Sequence, residues 1–139
     1  MSEGLPSTFL LEIVTPQRLI LSEEVSEVIA PGTLGYFGVL PGHIPFVSNL
    51  TIGELTYRKG TEERHLAIIW GYAEVLPDRV VILAEEAQRP EEIDVARAEA
   101  ARDKALARLR KPEPETNLAE EEASLTRAMV RLQVSSHKH

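Results

Sequence analysis

The hydrophobic pattern changes once, near Glu85, and that change restricts the fold more than any other feature of the chain. Between Phe9 and Ala84 apolar residues fall in short runs. They are interrupted at Thr15-Pro16, Pro31-Gly32, Pro41-Gly42, Arg58-Lys59-Gly60-Thr61 and Pro77-Asp78. Runs punctuated this way read as strands joined by turns. From Pro90 onward the β-branched runs vanish, and alanine, glutamate and arginine take over. Apolar residues there recur at three and four positions, the period of a helix. The expected class is α+β: an N-terminal antiparallel β-sandwich over residues 1–88, then a C-terminal antiparallel two-helix hairpin over residues 89–139.

The strand runs are Phe9–Val14, Leu19–Leu21, Val25–Ala30, Phe46–Leu50, Gly53–Tyr57, Leu66–Trp70, Tyr72–Leu76 and Arg79–Leu83. Short pieces between residues 32 and 45 bring the total to about nine. Trp70 is expected in the core, with Gly71 marking a bulge or bend. Pro90 is placed to open the first helix, with Glu91 and Glu92 in its first turn, where negative charge is favoured. Ala98, Ala101, Ala105 and Leu109 give that helix one small-residue face, and Lys111-Pro112-Glu113-Pro114 ends it. Thr116 or Asn117 can cap the second helix, whose apolar stripe is Leu118, Leu125, Met129 and Leu132. Mostly methyl groups line the first helix, so at about 25 cal/mol per Å² the hairpin buries little. It should need the sandwich, a ligand or a partner to stay closed.

Gly32 to Pro45 reads Gly-Thr-Leu-Gly-Tyr-Phe-Gly-Val-Leu-Pro-Gly-His-Ile-Pro. So many glycines and prolines exclude a helix or a central strand, yet Leu34, Tyr36, Phe37, Val39 and Leu40 are too apolar for a solvated linker. The stretch is expected to be a packed corner turned at Gly35, Gly38 and Pro41-Gly42. Its GxxGxxG spacing is neither GxGxxG nor a P-loop, so phosphate cradling is disfavoured. A buried corner and a recognition surface on a rigid loop both remain open. In the second reading His43 is an interface side chain, since no serine, cysteine or carboxylate immediately adjoins it to form a catalytic pair.

Gly38-Val39-Leu40-Pro41-Gly42-His43-Ile44-Pro45 resembles the Gly-aliphatic-x-Pro-Gly-His-x-Pro block of the epsilon subunits of F-type ATP synthases. Composition is compatible with such a subunit. The chain has no cysteine, which excludes disulfides and thiolate metal sites. A net charge of −7 argues against nonspecific nucleic-acid binding. No apolar run is long enough to span a bilayer, and residues 1–7 are unlike a signal peptide. A soluble cytosolic chain is expected. Locally, residues 97–111 carry 6 basic and 2 acidic side chains, a solvated helix face or a docking surface for an acidic partner.

Asp94 and Arg97 lie three apart in Ile93-Asp94-Val95-Ala96-Arg97-Ala98 and could pair at the surface. Arg127 and Arg131 point one way on the second helix, and antiparallel closure brings both near the start of the first. Like charges converging there call for an anion between them, such as a polyphosphate. The resemblance extends here, to the Ile/Leu-Asp-x-x-Arg-Ala motif by which several bacterial epsilon subunits hold ATP. It implies Ile93 and Asp94 on the adenine side, Arg97 on the phosphate side followed by Ala98, and Arg127 and Arg131 as the helix-two arginines. Lys104 stands where some members have arginine. Gln88 replaces a glutamate, Tyr36 an acidic residue, and Pro112 with Pro114 stiffens the interhelix loop. The resemblance covers about residues 8–134.

By family, the implied function is that of a non-catalytic rotor subunit coupling proton-driven rotation to ATP synthesis. The implied partners are the gamma subunit, the c-subunit ring facing Tyr36, Gly42 and His43, and the catalytic alpha and beta subunits reached by the helices. The implied location is peripheral, on the cytoplasmic face of the bacterial inner membrane, with no direct membrane insertion. No cofactor is required, and ATP is a regulatory ligand. Two other classes stand beside this reading. An enzyme would draw on His43, His65 and scattered carboxylates, but no triad or metal cluster is visible in the sequence, and His137 and His139 read as adventitious. A free-standing sandwich adaptor with a helical tail is the other.

Overall fold

The computed structural model describes residues 7–137. The signal-peptide reading of the N-terminus falls, except for Ser7, outside those residues, as does the reading of His139. Eight strands are present among the described residues: β1 (Phe9–Val14), β2 (Leu19–Val25), β3 (Glu27–Gly32), β4 (Gly35–Val39), β5 (Phe46–Leu50), β6 (Gly53–Lys59), β7 (Glu62–Val75) and β8 (Arg79–Gln88). The sequence suggested about nine. The two runs either side of Gly71 are one 14-residue strand.

That long strand builds the sandwich. Its first half pairs with β6, from Lys59↔Glu62 to Gly53↔Ile68. Its second half pairs with β5, from Leu50↔Gly71 to Phe46↔Val75. β8 follows its later part, from Val75↔Val80 back to Ala67↔Gln88. The bend falls at Trp70 (φ 47°) and Gly71 (φ 151°). A Cβ on Gly71 would lie 2.0 Å from the Leu83 carbonyl oxygen, so only glycine fits this crossing. Trp70 is not core as expected but 37% exposed. The bend breaks the strand's alternation there: Leu66 and Ile68 face the sandwich interior before it, with Ala67 facing the hairpin, and Ala73 and Val75 face the interior after it, a shift of one position. Pairing is antiparallel except between β1 and β8, which run parallel from Leu10↔Arg79 to Val14↔Leu83.

The core is one cluster of buried residues, led by Phe9, Leu11, Ile13, Val28, Leu55, Leu66, Ile68 and Ile82. In the Gly/Pro corner the first turn is Thr33-Leu34, and Gly38 lies inside β4 opposite Ile29 instead of turning the chain. Pro41-Gly42 does form a turn, with Gly42 at φ 80°.

Pro90–Glu92 is a separate 3-10 turn and does not open the helix. The helix α1 (Val95–Arg110) starts after Asp94, whose Oδ1 accepts from the Arg97 backbone N–H at 3.1 Å. Asp is among the strongest N-caps, so the helix begins where that bond can form. The second helix α2 (Leu118–Ser135) is capped in the same way by Asn117, accepting from Glu120 N–H. The two pack as a hairpin, with Arg108 bonded across to Glu121 at 2.9 Å. Its buried residues are Ala98, Ala105, Ala128 and Val134. The anticipated stripe is corrected: Leu118 and Met129 are 49% and 54% exposed. Alanines let the helices approach closely, leaving the longer side chains at the margins.

Candidate functional site

The hairpin meets the sandwich along a polar seam, and the seam encloses a cleft of about 380 Å³. Glu86 and Gln88 reach it from β8, Glu92 from the 3-10 turn, Asp94, Arg97, Ala98 and Ala101 from the start of α1, and Ser124, Arg127 and Arg131 from α2. Five of the seven nucleotide-site residues read from the sequence therefore come together: Asp94, Arg97, Ala98, Arg127 and Arg131. Antiparallel closure does place both arginines near the start of α1.

Ile93 and Lys104 are not part of the cleft lining. Ile93 is buried with Ala67 and Val134 beneath the hairpin, against half-buried Val130, so its side chain is spent on docking α2. Lys104 lies ten residues beyond the cap, about 15 Å along the axis, and is exposed.

The arginines need no outside anion to offset their repulsion in this structure. Arg131 Nε donates to Gln88 Oε1 at 2.8 Å, and its Nη2 to Glu86 Oε1 at 3.1 Å. Arg127 Nη2 donates to Ser124 Oγ at 2.9 Å and Glu120 Oε1 at 3.2 Å, while its guanidinium sits 5.5 Å over the Trp70 ring. Arg97 makes no ion pair among the described residues, so it is the lining cation left to meet a ligand. Glu92 is held below the usual carboxylate range. Burial alone would raise it, but the Arg89 N–H at 2.8 Å and the Arg18 guanidinium at 2.9 Å prevail.

Glu86, Glu92 and Ser124 were missed in the sequence. The signal for Glu86 was present: Glu86 and Gln88 are two apart and share a face of β8. It is masked because the strand's apolar run stops near Leu83.

The corner presents a different surface. Leu34, Ile44, Val47, Tyr36, Leu40 and Phe46 are exposed, and the edge-on contact of Phe37 with Phe46 ties β4 to the start of β5. Contiguous exposed apolar residues are a common feature of interaction surfaces. The Tyr36 hydroxyl accepts from the Glu54 backbone N–H at 3.1 Å, which fixes the ring in place. His43 turns its imidazole edge-on to Phe9 at 5.6 Å, and both ring nitrogens are shut off from solvent without partners among the described residues. The apolar neighbours, more than that imidazole, make up the exposed surface.

Two family descriptions match in sequence order: the beta-sandwich domain of the ATP synthase delta/epsilon chain over residues 8–90, and its long alpha-helix domain over residues 91–136. The chain belongs to the ATP synthase delta/epsilon family. Among relatives of the epsilon type, an ATP synthase epsilon chain of Syntrophobacter fumaroxidans is 54% identical over 125 residues, covering 90% of this chain and 93% of that one. The ATP synthase epsilon chain 2 of Syntrophotalea carbinolica is 52% identical over 126 residues, covering 90% and 91%. A chain of the Euglena gracilis mitochondrial ATP synthase, solved as the OSCP/F1/c-ring assembly, superposes with a TM-score of 0.82 at 27% identity. The match covers 99% of this chain and 86% of that chain. No described helix of this epsilon-family chain is long and apolar enough to cross a membrane.

Proposed function

We propose that the chain is a non-catalytic rotor subunit of a bacterial F-type ATP synthase, coupling proton-driven rotation to ATP synthesis and restraining ATP hydrolysis through a mobile hairpin. The sandwich is the fixed part. It binds the gamma subunit and stands on the c-subunit ring through the corner around Tyr36, Gly42 and His43, whose apolar neighbours supply the contact. The helices reach the alpha and beta subunits when raised. The complex holds the chain at the cytoplasmic face of the inner membrane.

The observation that carries this reading is the contrast between body and seam. The body shares one continuous core, whereas only Ala67, Ile93 and Val134 form the buried cluster beneath the hairpin. The rest of the seam is half-buried Val130, two ring contacts (Arg127 on Trp70, His137 on His65) and side-chain hydrogen bonds, which contribute about 1 kcal/mol each net. A contact so thin can open without unfolding the body.

ATP then acts on the opening through the cleft, its phosphates on Arg97, Arg127 and Arg131. A ligand at a hundred times its Kd contributes about 2.7 kcal/mol, against about 5.5 kcal/mol for a switch from 1:99 to 99:1. Nucleotide controls the hairpin only if its two positions lie close in energy. Binding must also displace Glu86 and Gln88 from Arg131, so millimolar affinity is the expectation. Co-purification with gamma tests the assembly, and recovery of the tagged chain without gamma from cells expressing both ends that reading in favour of a free-standing adaptor. Calorimetry tests the ligand. Heat with several millimolar ATP should be lost in Arg97→Ala, which leaves the seam intact, and no heat from the unaltered chain refutes sensing.

A further inference from the structure

Where the end of α2 meets the sandwich, three side chains converge: Glu54 of β6, His65 of β7, and His137 two residues beyond the helix. His137, read from the sequence as adventitious, lies against the sandwich. Its ring stacks on His65 at 3.7 Å, with planes 13° apart. One donor atom from each of the three residues lies within 4.8 Å of the others. His65 Nδ1 is 3.3 Å from Glu54 Oε2, and His137 Nε2 is 3.4 Å from Glu54 Oε1. The carboxylate thus spans the two imidazoles, each nitrogen lying from a different Glu54 oxygen by about the 3.3 Å that separates neighbouring ligands at metal–ligand bonds of about 2.0 Å.

Two further observations point to a cation. Glu54 Oε1 is buried without a hydrogen-bond partner among the described residues, and a carboxylate oxygen so placed calls for positive charge. On the far side of His65, Nε2 lies 3.3 Å from Glu63 Oε2. With Nδ1 on a metal, Nε2 carries the proton and donates to Glu63, which is the carboxylate–histidine–metal arrangement that orients ligating imidazoles.

We propose that Glu54, His65 and His137 form a divalent transition-metal site, best suited to zinc, that ties the end of α2 to the sandwich. Two imidazole nitrogens and one carboxylate suit zinc and leave a fourth position for water, whereas calcium and magnesium favour oxygen ligands. A shared metal must lie near the plane of each ring, so the stacked pair has to reorient. His137 is the ring free to turn, being 36% exposed and past the last helical turn. His65 is 8% exposed, and its Nδ1 gives up the 3.1 Å contact with Thr56 Oγ1 when the metal takes that nitrogen. The site stands on these contacts alone and does not depend on the rotor reading.

The test titrates the full, untagged, chelator-treated chain with zinc alone, followed by calorimetry and by hydrogen exchange of the α2 amides. One ion per chain is expected. At free zinc a hundred times its Kd, exchange through hairpin opening should slow about 100-fold. His137→Ala, at a half-exposed position outside the core, should abolish both effects, and Glu54→Gln should weaken both. Undiminished zinc binding by His137→Ala, or binding that leaves α2 exchange unchanged, means an adventitious ion only and overturns the site. So does the absence of heat and of added α2 protection when zinc is supplied to the unaltered chain.

Discussion

Asp94 shows how one side chain can serve two roles that a single substitution does not separate. Its carboxylate caps α1 through the Arg97 N–H and also lines the cleft. Asp94→Ala should cost about 1 kcal/mol from the lost cap, while Asp94→Asn retains a good cap and removes only the charge. Urea unfolding followed by helical circular dichroism checks the pair, and equal losses in both variants would mean that the charge, not the cap, matters. Glu92 gives a pH signature of known sign. Its carboxyl is held below the ordinary 4.5 by Arg89 and Arg18 despite burial. A depressed folded pKa contributes stability above the ordinary value, and that contribution is lost as pH falls through the folded one. Glu92→Gln should therefore be less stable than the unaltered chain near neutrality and converge with it as pH falls through the lowered folded pKa. A gap in urea midpoints that persists in acid would contradict this. Among the glycines, Gly71 is where an added Cβ would meet its neighbours most closely. Its φ is 151°, and an added methyl group would sit 2.0 Å from the Leu83 carbonyl oxygen. Gly71→Ala should therefore lower stability by about 3 kcal/mol or more, read from the urea midpoint.

The seam between elements comes with its own reporter. Trp70 is the one tryptophan in the chain, and the Arg127 guanidinium covers it only while α2 lies on the sandwich. Val134→Asp puts a charge into the Ala67–Ile93 cluster and should release the hairpin. Trp70 emission should change and α2 amides should lose protection, while β-sheet amides keep theirs. Unchanged emission would mean that the hydrogen bonds of Arg131 hold the seam unaided. The seam also marks how far sequence reading reached. Strands bounded by Pro and Gly, a cap at Thr116 or Asn117 and the approach of Arg127 and Arg131 to the start of α1 are legible, because turn chemistry and helical period are local. The destination of Trp70 was not, since it depends on a bend imposed by a neighbouring strand. Nor was the docking of His137 onto His65, because stacking between distant residues leaves no trace in spacing. The stripe through Leu118 and Met129 failed for a related reason: period identifies a face but not whether the facing surface is alanine or solvent.

At the scale of the whole molecule, a body with its own closed core should fold without its appendage. A fragment ending at Glu92 keeps all eight strands, the Arg18–Glu92 pair at 2.9 Å and the Arg89 bond to the Ile20 carbonyl at 2.7 Å. It loses apolar burial from Ile93 and Val134, about 1.5–3 kcal/mol for each side chain at most. Those side chains, however, dock the hairpin more than they brace the sheets, and the buried strand residues keep their mutual contacts. The fragment should be monomeric, with β-sheet circular dichroism and a urea midpoint close to that of the sheet signal in the full chain. In the full chain the helical signal should be lost at lower urea than the sheet signal, as expected for two units joined by a thin seam. Superimposable helix and sheet transitions, together with an unfolded fragment, would show that hairpin and sandwich form one cooperative unit. A hairpin bound that tightly could not swing on the sandwich, and the proposed control of hydrolysis would lose its mechanical basis.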